Sequence, residues 1–506
     1  MYSISTCFRT RFPQIVLSVA LIVLPLQLLL AQDQGFTPGS NRAVKISPVP
    51  SKGEIREAAD DVEEQYDVKL RSIRRSTDLE NLGKLQTALL TETDPAKRYV
   101  MLDAAITFAS EAGDVTRTFD TIDLLTNEFE VDDAEITQEA LETLSKVRRP
   151  APDYYLLAIK GYEAGQQLCD DHQYEPALEF IDLAFKLARQ VEETALHLQL
   201  QQFEQRWKGW SEAYDQVEKS HETVQKTDQD QQANLAWGRF LCFHKGDWKT
   251  GLPYLAKGQD RALAALAQRD LKQPKEFAEI LALTEEWSRY AATQSKLEAA
   301  AIQKHAFDVG QRGFDTVDPN QLQTFERKMA EWFGATQIWK TTVGQTGIPI
   351  GGARANPGTY ATVELWVRST QSVGAVITKR EKDAENAIGI EFQSGKIHCY
   401  AHGAKHGAAT TSPDKYNDGH WHHLAAVKMG NRLTLFCDGQ LVEKPAIINP
   451  RLVSQAPWRI GYRPVDNRWA LDATYARIRI SSIARYHVPF EPQLDYAPDR
   501  GTIFFK

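Results

Sequence analysis

No stretch of the chain narrows its fold so far as Asn417-Asp418-Gly419-His420-Trp421-His422-His423-Leu424-Ala425-Ala426-Val427, followed after a short break by Arg432-Leu433-Thr434-Leu435-Phe436-Cys437-Asp438-Gly439. Asp418-Gly419 and Asp438-Gly439 supply the positive-φ positions that tight turns demand, and β-branched, aromatic and aliphatic residues fill the runs between them. Two β-strands tied to two legible turns follow. Strand-like runs recur on both sides: Thr362–Arg368, Ala375–Thr378, Ile388–Phe392 and Gly395–Tyr400 upstream, Trp458–Tyr462 and Ala476–Ile480 downstream. Together they supply at least eight short strands, enough for a two-sheet antiparallel sandwich.

The Asn-Asp-Gly turn, the Trp followed by His-His and the Leu-x-Leu-aromatic-x-Asp-Gly hairpin resemble the laminin-G-like, concanavalin-A-like jelly roll, over residues 335–495. The resemblance implies a β-sandwich in which Trp366, Asp418, Gly419, Trp421, His422, His423, Asp438 and Gly439 serve as scaffold, the Trp buried and the imidazoles hydrogen-bonded. Members of that family bind glycans, proteins, steroids or nothing known, so the resemblance raises no single ligand above the others.

Upstream the hydrophobic spacing changes from two residues to three and four. Ile55, Ala59, Val62, Tyr66, Leu70 and Ile73 form one seam on a charged helix, which either packs within its own domain or pairs as a short coiled coil. Helix pairs are then expected around Asp94-Pro95, over Tyr154–Cys169 with Tyr174–Ala188, and over Leu235–His244 with Gly246–Ala256. Small residues at four-residue spacing let such helices approach closely. These pairs are similar to tetratricopeptide (TPR) units, with the full family pattern in none of them. The segment Phe240–Gly258 coupled to a laminin-G-like end resembles secreted proteins of planctomycete bacteria. The fold class is therefore α plus β and multidomain: a TPR-like solenoid over 51–330, then a jelly roll expected to stand as an independent domain.

Arg9 and Arg11 precede the apolar run Ile15–Leu30 and the small Ala31, the pattern of a secretory signal peptide over 1–31. An uncleaved anchor is the alternative, since the run approaches the length that spans a bilayer. A Pro-bearing linker over 32–50 follows, and residues 496–506 are expected as a tail. The protein is expected outside the cytoplasm: secreted, periplasmic or in the cell envelope. Export would permit a disulfide between Cys399 and Cys437, although each shares a strand face with core residues and two separate buried thiols is the simpler reading. A formal charge of −8 argues against a general grip on nucleic acid.

For chemistry, the Glu-x-Asp-x-Glu strand that concanavalin-A-like glucanases use does not occur, and Glu364 and Glu391 are single acids on separate strands. Gly-x-Ser-x-Gly, His-Glu-x-x-His and phosphate-loop motifs do not occur either. His420 and His422 could share a metal ion given a third ligand, and His398, His402 and His406 raise the same question; hydrogen-bonded scaffold imidazoles are the plainer account. Asp466 and Asp472 are candidate oxygen ligands for a calcium ion at the sandwich rim. Ligand recognition is placed on two loops, one bearing His402 and His406, the other Asn467, Arg468 and Trp469, because sugars want an aromatic plate beside planar hydrogen-bonding groups. The expected function is an exported, non-catalytic binding or adaptor protein without a cofactor, its jelly roll holding a glycan or protein and its helices a protein partner. A polysaccharide hydrolase and a self-assembling envelope protein are the alternatives.

Overall fold

The computed structural model describes residues 46–505 apart from 71–74, 148–150, 192–193, 333, 335–337, 344–345, 351–357, 381–386, 403–406, 443–445, 448–453, 455, 465–468 and 495. The expected signal segment and most of the linker lie outside the described residues. Fourteen α-helices among them come first: α1 (Lys52–Tyr66), α2 (Arg75–Leu89), α3 (Pro95–Ala112), α4 (Val115–Glu128), α5 (Asp133–Lys146), α6 (Ala151–Asp170), α7 (Tyr174–Ala188), α8 (Thr194–Lys226), α9 (Gln231–Arg239), α10 (Trp248–Leu255), α11 (Arg261–Leu271), α12 (Phe277–Ala291), α13 (Lys296–Gln311) and α14 (Leu322–Trp332). None is long and apolar enough to cross a membrane.

Asp residues punctuate this region because they start its helices. Asp94, Asp114, Asp132, Asp230, Asp247 and Asp260 each cap a helix, the carboxylate accepting a backbone N–H of the first turn. Each such cap contributes about 1 kcal/mol. Chain neighbours then pack in pairs, α6 on α7 and α12 on α13 among them. Gly165 shows why small residues are needed: a Cβ there would lie 2.6 Å from the Trp207 indole. Of the α1 seam, Val62 is buried in a cluster with Leu82, Leu85, Met101 and Phe108 of α2 and α3, and Tyr66 and Leu70 pack against it, so the seam packs within its own region. Ile73 of that seam lies outside the described residues.

The strands are β1 (Ile338–Thr341), β2 (Ile348–Ile350), β3 (Tyr360–Arg368), β4 (Gly374–Arg380), β5 (Ala387–Gln393), β6 (Lys396–His402), β7 (Gly407–Lys415), β8 (Trp421–Met429), β9 (Arg432–Cys437), β10 (Gln440–Leu441), β11 (Ala446–Ile447), β12 (Trp458–Ile460), β13 (Ala473–Ser481) and β14 (Thr502–Phe505). An eight-stranded sheet runs β1-β13-β3-β8-β9-β10, with β11 on β9 and β14 on β13; a six-stranded sheet runs β2-β12-β4-β5-β6-β7. The pairings are antiparallel, as a jelly roll requires. Val363, Leu365 and Val367 of β3 meet Ile390 and Phe392 of β5 and Ile397, Cys399 and Ala401 of β6 in the core between the sheets. Cys399 and Cys437 are both buried there as free thiols. The segment expected as a tail contributes β14 to the larger sheet.

The sandwich does not stand apart from the helices as the sequence suggests: residues Pro48–Lys506 form one compact unit. Phe307 of α13 and Phe325 and Met329 of α14 pack on Trp366, Trp421 and Ala476, on the outer side of the eight-stranded sheet. Further along that side, Ala484, Tyr486 and Phe490 cover Ala425, Val427 and Phe436. The same segment reaches α8, where Gln199 Oε1 accepts from the His487 N–H at 2.8 Å and Gln199 Nε2 donates to the Val488 carbonyl at 3.4 Å. Apolar surface on both partners explains the union, since neither could leave these indoles and phenyl rings in water without losing their burial.

Candidate ligand-binding site

The Trp-His-His motif holds the sandwich to itself and to the helices. Trp421 is fully buried, and its backbone is clamped by Gln311 of α13, whose Nε2 donates to the carbonyl at 2.8 Å and whose Oε1 accepts the N–H at 3.0 Å. His422 donates from Nε2 to Asp418 Oδ1 at 2.9 Å and from Nδ1 to Asp438 Oδ2 at 2.7 Å. Burial alone would lower its pKa, but the two carboxylates outweigh burial and raise it to about 9. His422 is therefore a cation between the two turns. His423 packs beside Trp366 and faces Glu364, its Nε2 3.4 Å from Oε2.

His420 and His422 share a carboxylate, Asp418, and His420 also reaches Asp315 at 3.1 Å. Among the described residues no group of three or more His, Cys, Asp or Glu is placed to hold a metal ion. Of the two calcium candidates, Asp466 lies outside the described residues; Asp472 is exposed, its backbone bonded to Gln371 and Ser369.

Glu364 is wholly buried on the outer side of β3. Burial would raise its pKa, yet His423 and Arg479 bring it down to about 2, with Arg479 Nε at 2.7 Å and the Tyr486 hydroxyl donating at 2.7 Å. Glu326 of α14 plays a similar part, accepting from Arg368 at 2.6 Å and Lys340 at 2.9 Å. These acids bind the covered side of the larger sheet to what covers it. Glu391 belongs to the other sheet and points to its opposite outer side, since Ile390 and Phe392 beside it face the core. Nothing pairs Glu364 with Glu391 across a common cleft.

The outer side of the six-stranded sheet is differently furnished. Along β6, Ile397, Cys399 and Ala401 face inward, so His398, Tyr400 and His402 face outward, opposite Glu391, Gly389 and Ala387 of β5. Tyr400 lies between the two imidazoles, 6.1 Å from His398 and 5.2 Å from His402 between ring centroids, and crosses Gly389, where a Cβ would sit 2.7 Å from its hydroxyl. Its neighbours on β7, Ala409 and Thr411, are exposed. Beyond β12, Arg463 donates from Nη1 to Glu391 Oε2 at 2.9 Å while its guanidinium carbon lies over the Trp469 ring, 3.6 Å from the centroid. Gln393 Nε2 takes the other Glu391 oxygen at 2.6 Å. Burial, ahead of the cations nearby, lowers the pKa of His398 and His402 and so keeps them neutral at neutral pH; burial likewise raises that of Glu391.

Of the residues singled out in the sequence for ligand contact, the structure brings His402 and Trp469 to this one side, each beside Arg463. His406, Asn467 and Arg468 lie outside the described residues. Trp469 is no bare plate, because Arg463 occupies one of its faces. Arg463, Arg380, Tyr400 and His398 were not assigned to this site from sequence. The period-two pattern of β6 already separates 398, 400 and 402 from the core set, but the pairing of Arg463 with Glu391 spans 72 residues and has no local signal.

Among solved structures, the chain is similar to the mouse laminin α1 chain domains LG4-5, at 14% identity over 29% of this chain and 42% of that chain, with a TM-score of 0.26. It is similar to a native heptameric SAP-like pentraxin from Limulus polyphemus, at 12% identity over 33% of this chain and 93% of that chain, TM-score 0.24. It is also similar to Domain 4 of a GH43 extracellular arabinanase from Geobacillus stearothermophilus, solved in complex with arabinotriose, at 17% identity over 28% of this chain and 74% of that chain, TM-score 0.22. The chain spans less than half the length of the laminin structure it matches. No curated protein matches the sequence significantly. Residues 343–487, which hold the sandwich from β2 through β13, match the Laminin_G_3 family model of the concanavalin A-like lectin/glucanases superfamily.

Proposed function

We propose that this is an exported, non-catalytic binding protein whose sandwich takes a glycan on the outer side of the six-stranded sheet. One observation carries the reading. The helices and the 484–490 segment close the outer side of the larger sheet, while the smaller sheet presents His398, Tyr400, His402 and the Arg463–Trp469 stack with exposed residues beside them. Such a site joins aromatic surface to convergent polar groups, which is what sugar recognition needs. A retaining glycosidase instead needs two carboxyls about 5 Å apart, and Glu364 and Glu391 stand on opposite outer sides. The helical array is then the platform that holds the sandwich by its other side, leaving its remaining surface for a protein partner, in the manner of an adaptor.

A glycan array probed with the full chain tests this. Binding is expected, with loss on Trp469→Ala at an unchanged melting temperature. A chain that binds no glycan but captures a protein through the same residues would replace the glycan with a protein ligand.

A further inference from the structure

The helices meet the sandwich in one area through α13 and α14, where Glu326 accepts from Arg368 and Lys340. They meet it in another through residues 484–490, a strap with two sides. Tyr486 and Phe490 pack on the larger sheet, while Val488 enters the core of the helices with Leu196 and Leu200 of α8. His487 is bonded to both helices there: its N–H donates to Gln199 Oε1 of α8 at 2.8 Å, and its Nδ1 lies 3.2 Å from the Tyr155 hydroxyl of α6. We propose that His487 makes this contact an acid-operated latch, one that lets α6 and α8 part from the sandwich while α13 and α14 keep hold of it.

The surroundings of His487 offer nothing to a positive charge. The residue is 7% exposed, and its Nε2 has no hydrogen-bond partner among the described residues. From α6 comes the Tyr155 hydroxyl, and from α8 the uncharged Gln199. From β9 comes a cation, Arg432, whose guanidinium carbon lies 5.6 Å from the centroid of the Tyr155 ring. Along the strap itself, Arg485 turns to Asp499 and Tyr486 to Glu364. No carboxylate among the described residues acts on the His487 imidazole. Protonating it would bury a charge beside a like charge, without a counter-charge.

Burial, opposed by the Ala484 carbonyl and aided by Arg432, accordingly lowers the pKa of His487 to about 4. His422, between two carboxylates, is shifted the other way. Once the strap leaves the helices, the imidazole takes a proton near its ordinary value of about 6.5, whereas docked it takes one only near 4. The contact is therefore intact above pH 6.5 and weakens as the pH falls from there toward 4. Acid leaves the other attachments in place. Tyr486 donates to Glu364, whose carboxyl is held down to about 2 by His423 and Arg479 against its burial, and this keeps the strap on the sheet. Gln311 clamps the Trp421 backbone through an amide that does not titrate. With one area released and the other held, the rigid junction becomes a hinge.

Amide-resolved hydrogen exchange of the full chain, each rate divided by its intrinsic value at the same pH, tests this. Between pH 7 and pH 5 the His487 amide, which donates to Gln199, is expected to lose protection roughly twentyfold. The Phe490 amide, which donates to Gly439, is expected to keep its protection. His487→Gln and His487→Phe cannot take the proton and should show no such loss at position 487, and comparison with them cancels every other imidazole. Should neither variant fold, exchange of the ring C2 hydrogen of His487 in the wild-type chain decides, because its rate follows the protonation of the imidazole. Titration well below the ordinary value of about 6.5 supports the latch, and titration at that value overturns it. Unchanged protection in the wild type, an equal loss in a folded variant, or an equal loss at Phe490 would each overturn it as well.

Discussion

The imidazole of His422 stands 2.7 Å from Asp438 Oδ2, and that contact locks the turn after β9 to the start of β8. With Asp418 on its other nitrogen, at 2.9 Å, His422 gains a proton on folding that it would lack at neutral pH in an unfolded chain. Its pKa rises from 6.5 to about 9, so the stability it contributes is fully present below pH 6.5 and is lost as the pH climbs through 9. The amount is on the order of 3 kcal/mol. Urea denaturation at a series of pH values should show wild type losing its advantage over His422→Gln across that window. Lys428, whose pKa burial lowers to about 8, acts in the opposite direction in both proteins, so the difference between them is the quantity to follow. A constant difference from pH 6 to 10 would refute the cationic His422.

Trp421 fills the junction between β8, α13 and α14, wholly buried against Phe307, Phe325 and Met329. Trp421→Ala is expected to cost about 3 to 5 kcal/mol by leaving a cavity. Because the cavity opens between the helices and the sheet, the loss should be shared with Phe325→Ala. A double-mutant cycle by chemical denaturation should therefore fall short of additivity, and strict additivity would count against a common cluster.

The helices and the sandwich should melt together. Glu326, Gln311 and Gln199 each bond across the junction. Calorimetry is expected to give one transition, and limited proteolysis between residues 325 and 350 should not release a sandwich that survives alone. Two separated transitions would show that the junction adds little.

Glu364→Gln should destabilise the fold by about 3 kcal/mol, because Arg479 would keep a buried charge without its counter-charge. No glycan should be cleaved by the wild-type chain. Reducing sugar released from a polysaccharide, and abolished by Glu391→Gln, would make the protein a hydrolase.

Much of the sandwich was legible because its signals are local. Asp438 at φ 49° and Gly439 at φ 77° form the turn that the sequence announces, and alternation along β3 and β6 separates core from surface. The helix start at Asp94-Pro95 was equally plain. What stayed hidden are groups that acquire a partner only after folding: Arg463 with Glu391, Glu326 with Arg368, and Gln199 with His487. Independence of the two regions was the natural expectation from the switch in hydrophobic period near residue 337, yet periodicity reports which side of an element is apolar and not what comes to cover it. The indoles of Trp366 and Trp421 on an outward side of the sheet were the one clue that something would.

Gln199 meets His487 across 288 residues of chain, and the Gly439 carbonyl accepts the Phe490 N–H at 3.0 Å. A Cβ at position 439 would run into the Phe490 carbonyl, so this docking admits only glycine. The strap laid over the larger sheet thus leaves the ribosome only after the 288 residues that separate it from Gln199 of α8, and later still than Tyr155 of α6, which it also touches. These helices must wait with apolar surface uncovered until that length of chain has been made, and closing so long a loop slows the seating of the strap. Exposure of that surface to aggregation and proteolysis accordingly ends only once residues 484–490 are seated.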